Sequence, residues 1–200
     1  MKNYLLIFNQ LLIAVCSYIR MKFYNLEVVD SGVKFDKNAK YLIISNHQTQ
    51  SDPFIITPFL PIFVRFKLLP YRYLITDNYL KKRHLRYFLY LCGCFSTSKE
   101  KNNDVKPLKL AQEYINKNQT VFIFPEGRLN PSGKIDKSIP IGVGAIYLER
   151  ENSDLYLLPV KIEYFEGRKI KITYKKPFRH KMFPKDLTPL AKDLIERIYE

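Results

Sequence analysis

The run Tyr41-Leu42-Ile43-Ile44-Ser45 constrains this chain most. Its residues are apolar and β-prone and do not alternate with polar ones, so a strand made from them is buried on both faces. Such a strand needs cover from helices on each side, which points to an α/β layered fold. The rest of the chain agrees. Strand-like segments at 25–32, 71–76, 93–99, 120–124, 155–162 and 169–174 are interleaved with helix-like segments at 81–91, 105–118 and 187–199 and a Gly-rich helical patch at 142–145. Pro53, Pro58 and Pro61 exclude one long helix between the second and third strands. The expected fold is α/β, a mixed and partly parallel sheet flanked by helices, with Asp104 available to cap the 105–118 helix.

Size and composition narrow the classes. Two hundred residues, 46% apolar, fit one globular domain with a sizeable core. The net charge of +14 predicts attraction to polyanions: nucleic acid, an anionic membrane surface or phosphorylated small molecules. Cys16, Cys92 and Cys94 are odd in number and form no CxxC pair, so neither a disulfide framework nor a zinc site is indicated. A reducing, cytoplasmic-side location fits that usage.

The first 22 residues stand apart from the domain at 23–200. An apolar segment from Tyr4 to Ile19 lies between Lys2 and Arg20-Met21-Lys22 and lacks a small-residue cleavage site, so it is not read as a signal peptide. It is short for a spanning helix and carries Asn9 and Gln10 in its middle, which favours an interfacial or re-entrant membrane anchor. The alternative is a helix packed on the domain's own core.

The strand at 41–45 runs into Asn46-His47-Gln48-Thr49-Gln50-Ser51-Asp52, closed by Pro53. Within a single helix His47 and Asp52 would point about 140° apart, since each residue turns roughly 100°. They are therefore expected to straddle a helix start, with Asp52 at the N-cap and Pro53 at the first helical position. His47 then sits in the turn leaving a strand, where an imidazole beside a carboxylate can act as a general base. Taken singly, Asp52 reads as a cap and His47 as an ordinary loop histidine. The second polar turn, Pro125-Glu126-Gly127-Arg128, follows another buried strand. Both turns fall at carboxyl ends of strands, where α/β sheets gather their sites.

Several nucleophile and phosphate motifs are incomplete. Ser96-Thr97-Ser98-Lys99 matches S-x-x-K without its companion motifs, the spacing from Gly127 to Gly133 is one residue too long for a phosphate loop, and no G-x-S-x-G elbow exists. Without a protein nucleophile, His47 acts on a hydroxyl that belongs to a substrate, which means direct transfer to an acceptor alcohol.

Asn46-His47-x-x-x-x-Asp52, then Phe124-Pro125-Glu126-Gly127-Arg128, then Leu158-Pro159-Val160 resemble, in that order, the 1-acylglycerol-3-phosphate O-acyltransferase family, over residues 23 to about 180. The resemblance implies an acyltransferase domain on a membrane surface, on the cytoplasmic face of the inner or plasma membrane. It would move a fatty acyl chain from acyl-CoA or acyl carrier protein onto a lysophospholipid hydroxyl, with no metal and no cofactor beyond the donor. Carried over by position, His47 is the base and Asp52 its orienting partner. Glu126, Gly127 and Arg128 match the acceptor-binding block, with Arg128 a forked donor for phosphate and Gly127 permitting close backbone approach. Pro159 falls in a fourth block at the acyl groove.

Two departures from the family pattern bear on the acceptor. Arg128 follows Gly127 directly, where a Thr or Ser usually intervenes, and Ser98-Lys99 stands where an arginine ends the second block, leaving Lys99 as a point charge for phosphate. The leading expectation is 1-acylglycerol-3-phosphate as acceptor, giving phosphatidic acid. Alternatives are another lysolipid or an acylated amino acid as acceptor, a Glu126–Arg128 ion pair that merely holds a turn, or an inactive membrane- or nucleic-acid-binding relative. No nucleic-acid partner is expected.

Overall fold

The computed structural model describes residues 2–30, 35–36, 38–75, 77–96, 106–135 and 142–200. In chain order the elements are α1 (Lys2–Met21), β1 (Asn25–Asp30), β2 (Lys40–Ser45), α2 (Asp52–Ile56), a 3₁₀ turn (Thr57–Phe59), α3 (Ile62–Leu68), β3 (Tyr71–Ile75), α4 (Asp77–Leu80), α5 (Arg83–Cys92) and β4 (Cys94–Ser96). They continue with α6 (Lys106–Asn116), β5 (Thr120–Ile123), α7 (Val143–Arg150), β6 (Leu155–Phe165), β7 (Lys169–Tyr174) and α8 (Thr188–Tyr199). Asp104 and Lys99 lie outside the described residues.

The strands form one seven-stranded sheet in the order β1-β7-β6-β2-β5-β3-β4. Among the described residues only the β6–β7 pair of strands is antiparallel; the other five pairings are parallel. The expected mixed, partly parallel α/β sheet is therefore present, and it is mostly parallel. β2 lies at its centre. Leu42 and Ile44 project into one hydrophobic cluster with α6, α7 and α8, while Tyr41 and Ile43 project into the other with α1, α2 and α3. Leu42, Ile43 and Ile44 are wholly buried, worth about 2 kcal/mol each, and the absence of polar alternation follows from burial on both faces. The three prolines break the segment as expected: Pro53 enters the first turn of α2, Pro58 sits in the 3₁₀ turn and Pro61 precedes α3.

Helix α1 packs along the domain by one stripe and exposes another. Leu6, Gln10, Ala14, Ser17 and Met21 are buried, at the 3–4 residue spacing of one helical face. Gln10 is bonded by its side chain to the backbone of the domain: Nε2 donates to the carbonyls of Tyr71 (2.7 Å) and Cys92 (2.9 Å), and Oε1 accepts from Tyr71 N–H (3.0 Å). Ser17 and Tyr18 add bonds to the carbonyls of Phe54 and Pro58. Gln10 is thus a docking residue of an apolar helix. On the other face Leu5, Phe8, Leu12, Val15 and Ile19 are exposed, as are Phe63 and Phe66 on α3. By length and composition α1 could cross a membrane.

Candidate active site

The site is assembled at the carboxyl ends of three neighbouring parallel strands, β2, β5 and β6. Asn46 follows the last residue of β2 and extends its ladder with a side chain. Its Nδ2 donates to the carbonyl of Ile162 and its Oδ1 accepts from the Ile162 N–H, both at 2.8 Å. With β2 fixed to β6 in this way, the chain turns and places His47 at the sheet's rim.

His47 and Asp52 meet as the sequence predicts, with Nδ1 3.1 Å from Asp52 Oδ2. Asp52 is fully buried. Its carboxylate does not cap α2, however: Ser51 occupies the N-cap position without a side-chain cap bond. The carboxylate turns back toward the strand instead, where Oδ2 accepts the N–H groups of Gln48 (2.7 Å) and Thr49 (2.8 Å). The same Asp-Pro start is compatible with either geometry, and the backward one is taken because the buried carboxylate there satisfies two amides of a partly buried turn. Oδ1 accepts from Thr49 Oγ1 and from the Tyr164 hydroxyl, both at 2.6 Å. Burial, with the Asp52 carboxylate beside it, pushes the Tyr164 hydroxyl well above the usual tyrosine range, so it remains a donor.

This arrangement sets the tautomer of His47. An ionised Asp52 only accepts, so Nδ1 carries the proton and Nε2 is the basic nitrogen. Nε2 has no hydrogen bond among the described residues, and the side chain is 18% exposed. The imidazole lies flat on Phe124, with centroids 3.7 Å apart and planes at 12°. Phe124 is the residue after β5, so the strand that carries the second polar turn also supports the ring.

The second turn is tied to the first. Asn130 N–H donates to the carbonyl of His47 at 2.6 Å. Gly133, at φ 63°, sits against Gln48, and a Cβ there would fall 2.0 Å from Gln48 Nε2. Glu126, expected to face the acceptor, is buried, and its carboxylate is engaged by protein groups. Oε1 accepts from Tyr199 OH at 2.5 Å and Oε2 from Asn130 Nδ2 at 2.8 Å. The Tyr199 hydroxyl is held above its ordinary range by burial and by Glu126. Gly127 has φ 64° and open space around the site of a Cβ, so what glycine supplies in the folded chain is the left-handed backbone rather than a close approach. Arg128 is exposed on this turn. Pro159 is buried in β6 opposite Ile44 of β2. Lys99 lies outside the described residues.

Sequence reasoning missed Tyr164, Thr49, Asn130 and Tyr199. A weak signal existed for Tyr164: it falls on the same face of β6 as Val160 and Ile162, four and two positions earlier. Among the described residues no cluster of three or more His, Cys, Asp or Glu side chains is placed to hold a metal ion.

The fold is similar to that of the 1-acyl-sn-glycerophosphate (LPA) acyltransferase PlsC from Thermotoga maritima. The TM-score is 0.66 at 18% identity, over 95% of this chain and 78% of that one. At that identity the likeness is one of fold. Comparison with curated proteins gives no match. The family model described as Acyltransferase matches residues 20–163, which include both polar turns and most of β6. With nearly three quarters of its length matched, the chain belongs to the Acyltransferase family.

Proposed function

We propose that the protein is a membrane-associated O-acyltransferase that moves a fatty acyl chain from a thioester, acyl-CoA or acyl carrier protein, to the hydroxyl of a lysophospholipid. The foremost acceptor is 1-acylglycerol-3-phosphate, by analogy with the neighbour's named substrate. The observation that carries this reading is the His47–Asp52 pair, with Nδ1 bound to a buried carboxylate and Nε2 without a partner among the described residues.

In this reading the acceptor hydroxyl donates its proton to Nε2 as its oxygen bonds to the thioester carbonyl carbon. The resulting imidazolium is stabilised by Asp52. Collapse of the tetrahedral intermediate breaks the C–S bond, and the proton on Nε2 passes to the departing sulfur. No covalent acyl-protein forms, and Phe124 keeps the ring from rotating out of line. Arg128 holds the acceptor's phosphate, and Lys99 adds a second positive charge.

The exposed apolar stripe of α1 and the aromatic residues of α3 enter the bilayer on its cytoplasmic face, with basic side chains such as Arg20 and Lys22 at the anionic headgroups. Radiolabelled acyl transfer by membranes containing the protein, with lysophosphatidic acid and other lysolipids as acceptors, tests the proposal. Loss of transfer in a folded His47→Ala protein is the expected result. Transfer at the wild-type rate by that variant would exclude His47 as the base.

A further inference from the structure

Strand β6 grips the histidine turn twice. Ile162 holds Asn46 through its backbone, and Tyr164, two residues on and on the same face, reaches the Asp52 carboxylate. The two oxygens of Asp52 have different partners. Oδ2 serves His47 Nδ1 and two backbone amides, while Oδ1 is bonded by two hydroxyls, those of Tyr164 and Thr49, which lie 3.1 Å apart.

We infer that Tyr164 is a positioning residue of the His47–Asp52 pair: its hydroxyl, bonded to the carboxylate oxygen that His47 does not use, holds down the proton affinity of the imidazole. The inference rests on the reading of His47 as the base. A hydrogen bond donated to a carboxylate disperses its charge, and the less charge Asp52 presents at Oδ2, the less it favours an imidazolium. A base that must pass its proton on to sulfur works best when it does not hold that proton too tightly. Tyr164 is suited to such a role because its strand is paired with β7 at this point, opposite Ile170. Its hydroxyl also stays protonated at any pH at which the protein would work.

Among the described residues, charged groups approach the pair from α1, from the adjoining turn and from β6. Arg20, at the end of α1, acts on Tyr164 and donates to Ser51 Oγ at 3.4 Å. Glu126, on the adjoining turn, is occupied by Tyr199 and Asn130. Lys161 and Glu163 alternate to the other face of β6, where they pair with each other at 3.3 Å.

The test reads the imidazole directly. The chain has three histidines, so the ring-carbon NMR signal of His47 is the one missing from His47→Ala. In Tyr164→Phe the pH midpoint of that signal is expected to rise by about half a unit or more, since the carboxylate then presents more of its charge to the imidazole. Thr49→Val removes the other hydroxyl and is expected to shift the midpoint in the same direction, which keeps the test decisive should Tyr164→Phe not fold. Thr49→Ser is expected to restore it. A purely structural role would lower the melting temperature and leave the midpoint where it was. An unmoved or lowered midpoint in these variants overturns the inference. Failure of the underlying reading would look different, because His47→Ala would then still transfer acyl groups.

Discussion

The backbone amide of Asn130 donates to the carbonyl of His47 at 2.6 Å, so the loop after β5 and the turn after β2 are held as one unit. The side chain of the same residue bonds Glu126 (2.8 Å), the carbonyl of Lys134 (2.8 Å) and the hydroxyl of Tyr199 (3.2 Å). A single asparagine thus fixes the loop after β5 to the His47 turn and to the last turn of α8.

Asn130→Ala keeps the backbone bond to His47 and removes those three side-chain bonds, together with the one that Asn130 Oδ1 accepts from Ser132 Oγ (2.6 Å). It is expected to cost about 1–3 kcal/mol of stability in urea unfolding, because buried Glu126 loses a donor. Tyr199→Phe removes the second donor to the same carboxylate. The double variant should depart from additivity by about 0.5 kcal/mol or more, whereas strict additivity would show that the two bonds act independently.

Asn46 offers a sharper test at the carboxyl end of β2. Asn46→Ala strands both the N–H and the carbonyl of Ile162 in a buried position. A loss of about 2–4 kcal/mol is expected, with faster hydrogen exchange at the Ile162 amide and in the 47–52 turn. A variant as stable as the wild type would mean that the pairing contributes nothing.

A second partly buried histidine ties stability to pH. His180 Nδ1 lies 2.7 Å from fully buried Glu149, and Nε2 lies 3.1 Å from Asp193, which also accepts from Arg197 at 2.7 Å. The hydrogen bond to Glu149, reinforced by Asp193, raises the His180 pKa above its ordinary 6.5 against the opposing effect of burial. Its contribution to stability is therefore complete below about pH 6.5 and is lost as pH rises through the folded value. Asp193 runs the other way. Burial disfavours its charge, but Arg197 and His180 outweigh that and lower its pKa, so its contribution is present above about pH 4 and is lost as pH falls through the folded value. Melting temperature should peak in the mildly acidic range, and His180→Gln should both lower the peak and abolish the decline on its alkaline side.

The exposed stripe of α1 can be altered without touching the docking stripe. Leu12→Glu and Val15→Glu place charges on side chains that are 52% and 54% exposed, so the melting temperature should hold. Binding to anionic vesicles should fall about tenfold or more for each change, from a loss of roughly 1.5–3 kcal/mol of apolar burial, and should weaken further with salt. Unchanged vesicle binding would remove α1 from the membrane contact.

What the sequence disclosed about the fold and the site came from local signals. The strand at 41–45 was legible because two-sided burial leaves no polar alternation, and the His47–Asp52 meeting because both partners lie on one turn. The direction of the Asp52 carboxylate was not legible, since an Asp-Pro start suits a cap and a backward turn equally. Gln10 looked like a flaw in an apolar segment, and only its partners Tyr71 and Cys92, 61 and 82 positions away, show what it does. Tyr164 and Tyr199 leave almost no trace, because each reaches a carboxylate, Asp52 or Glu126, 112 or 73 residues earlier and no short motif spans such distances.

The lateness of those partners bears on how the protein is made. Asn46 waits for Ile162, 116 residues downstream, and Asp52 for Tyr164, 112 downstream. At synthesis rates of roughly 5–20 residues per second, the histidine turn leaves the ribosome on the order of ten seconds before the strand that braces it. During that interval a nascent chain carries the complete His47–Asp52 motif with Asn46 unpaired and Asp52 missing its tyrosine. A fully braced His47–Asp52 pair is thus among the last things the growing polypeptide acquires.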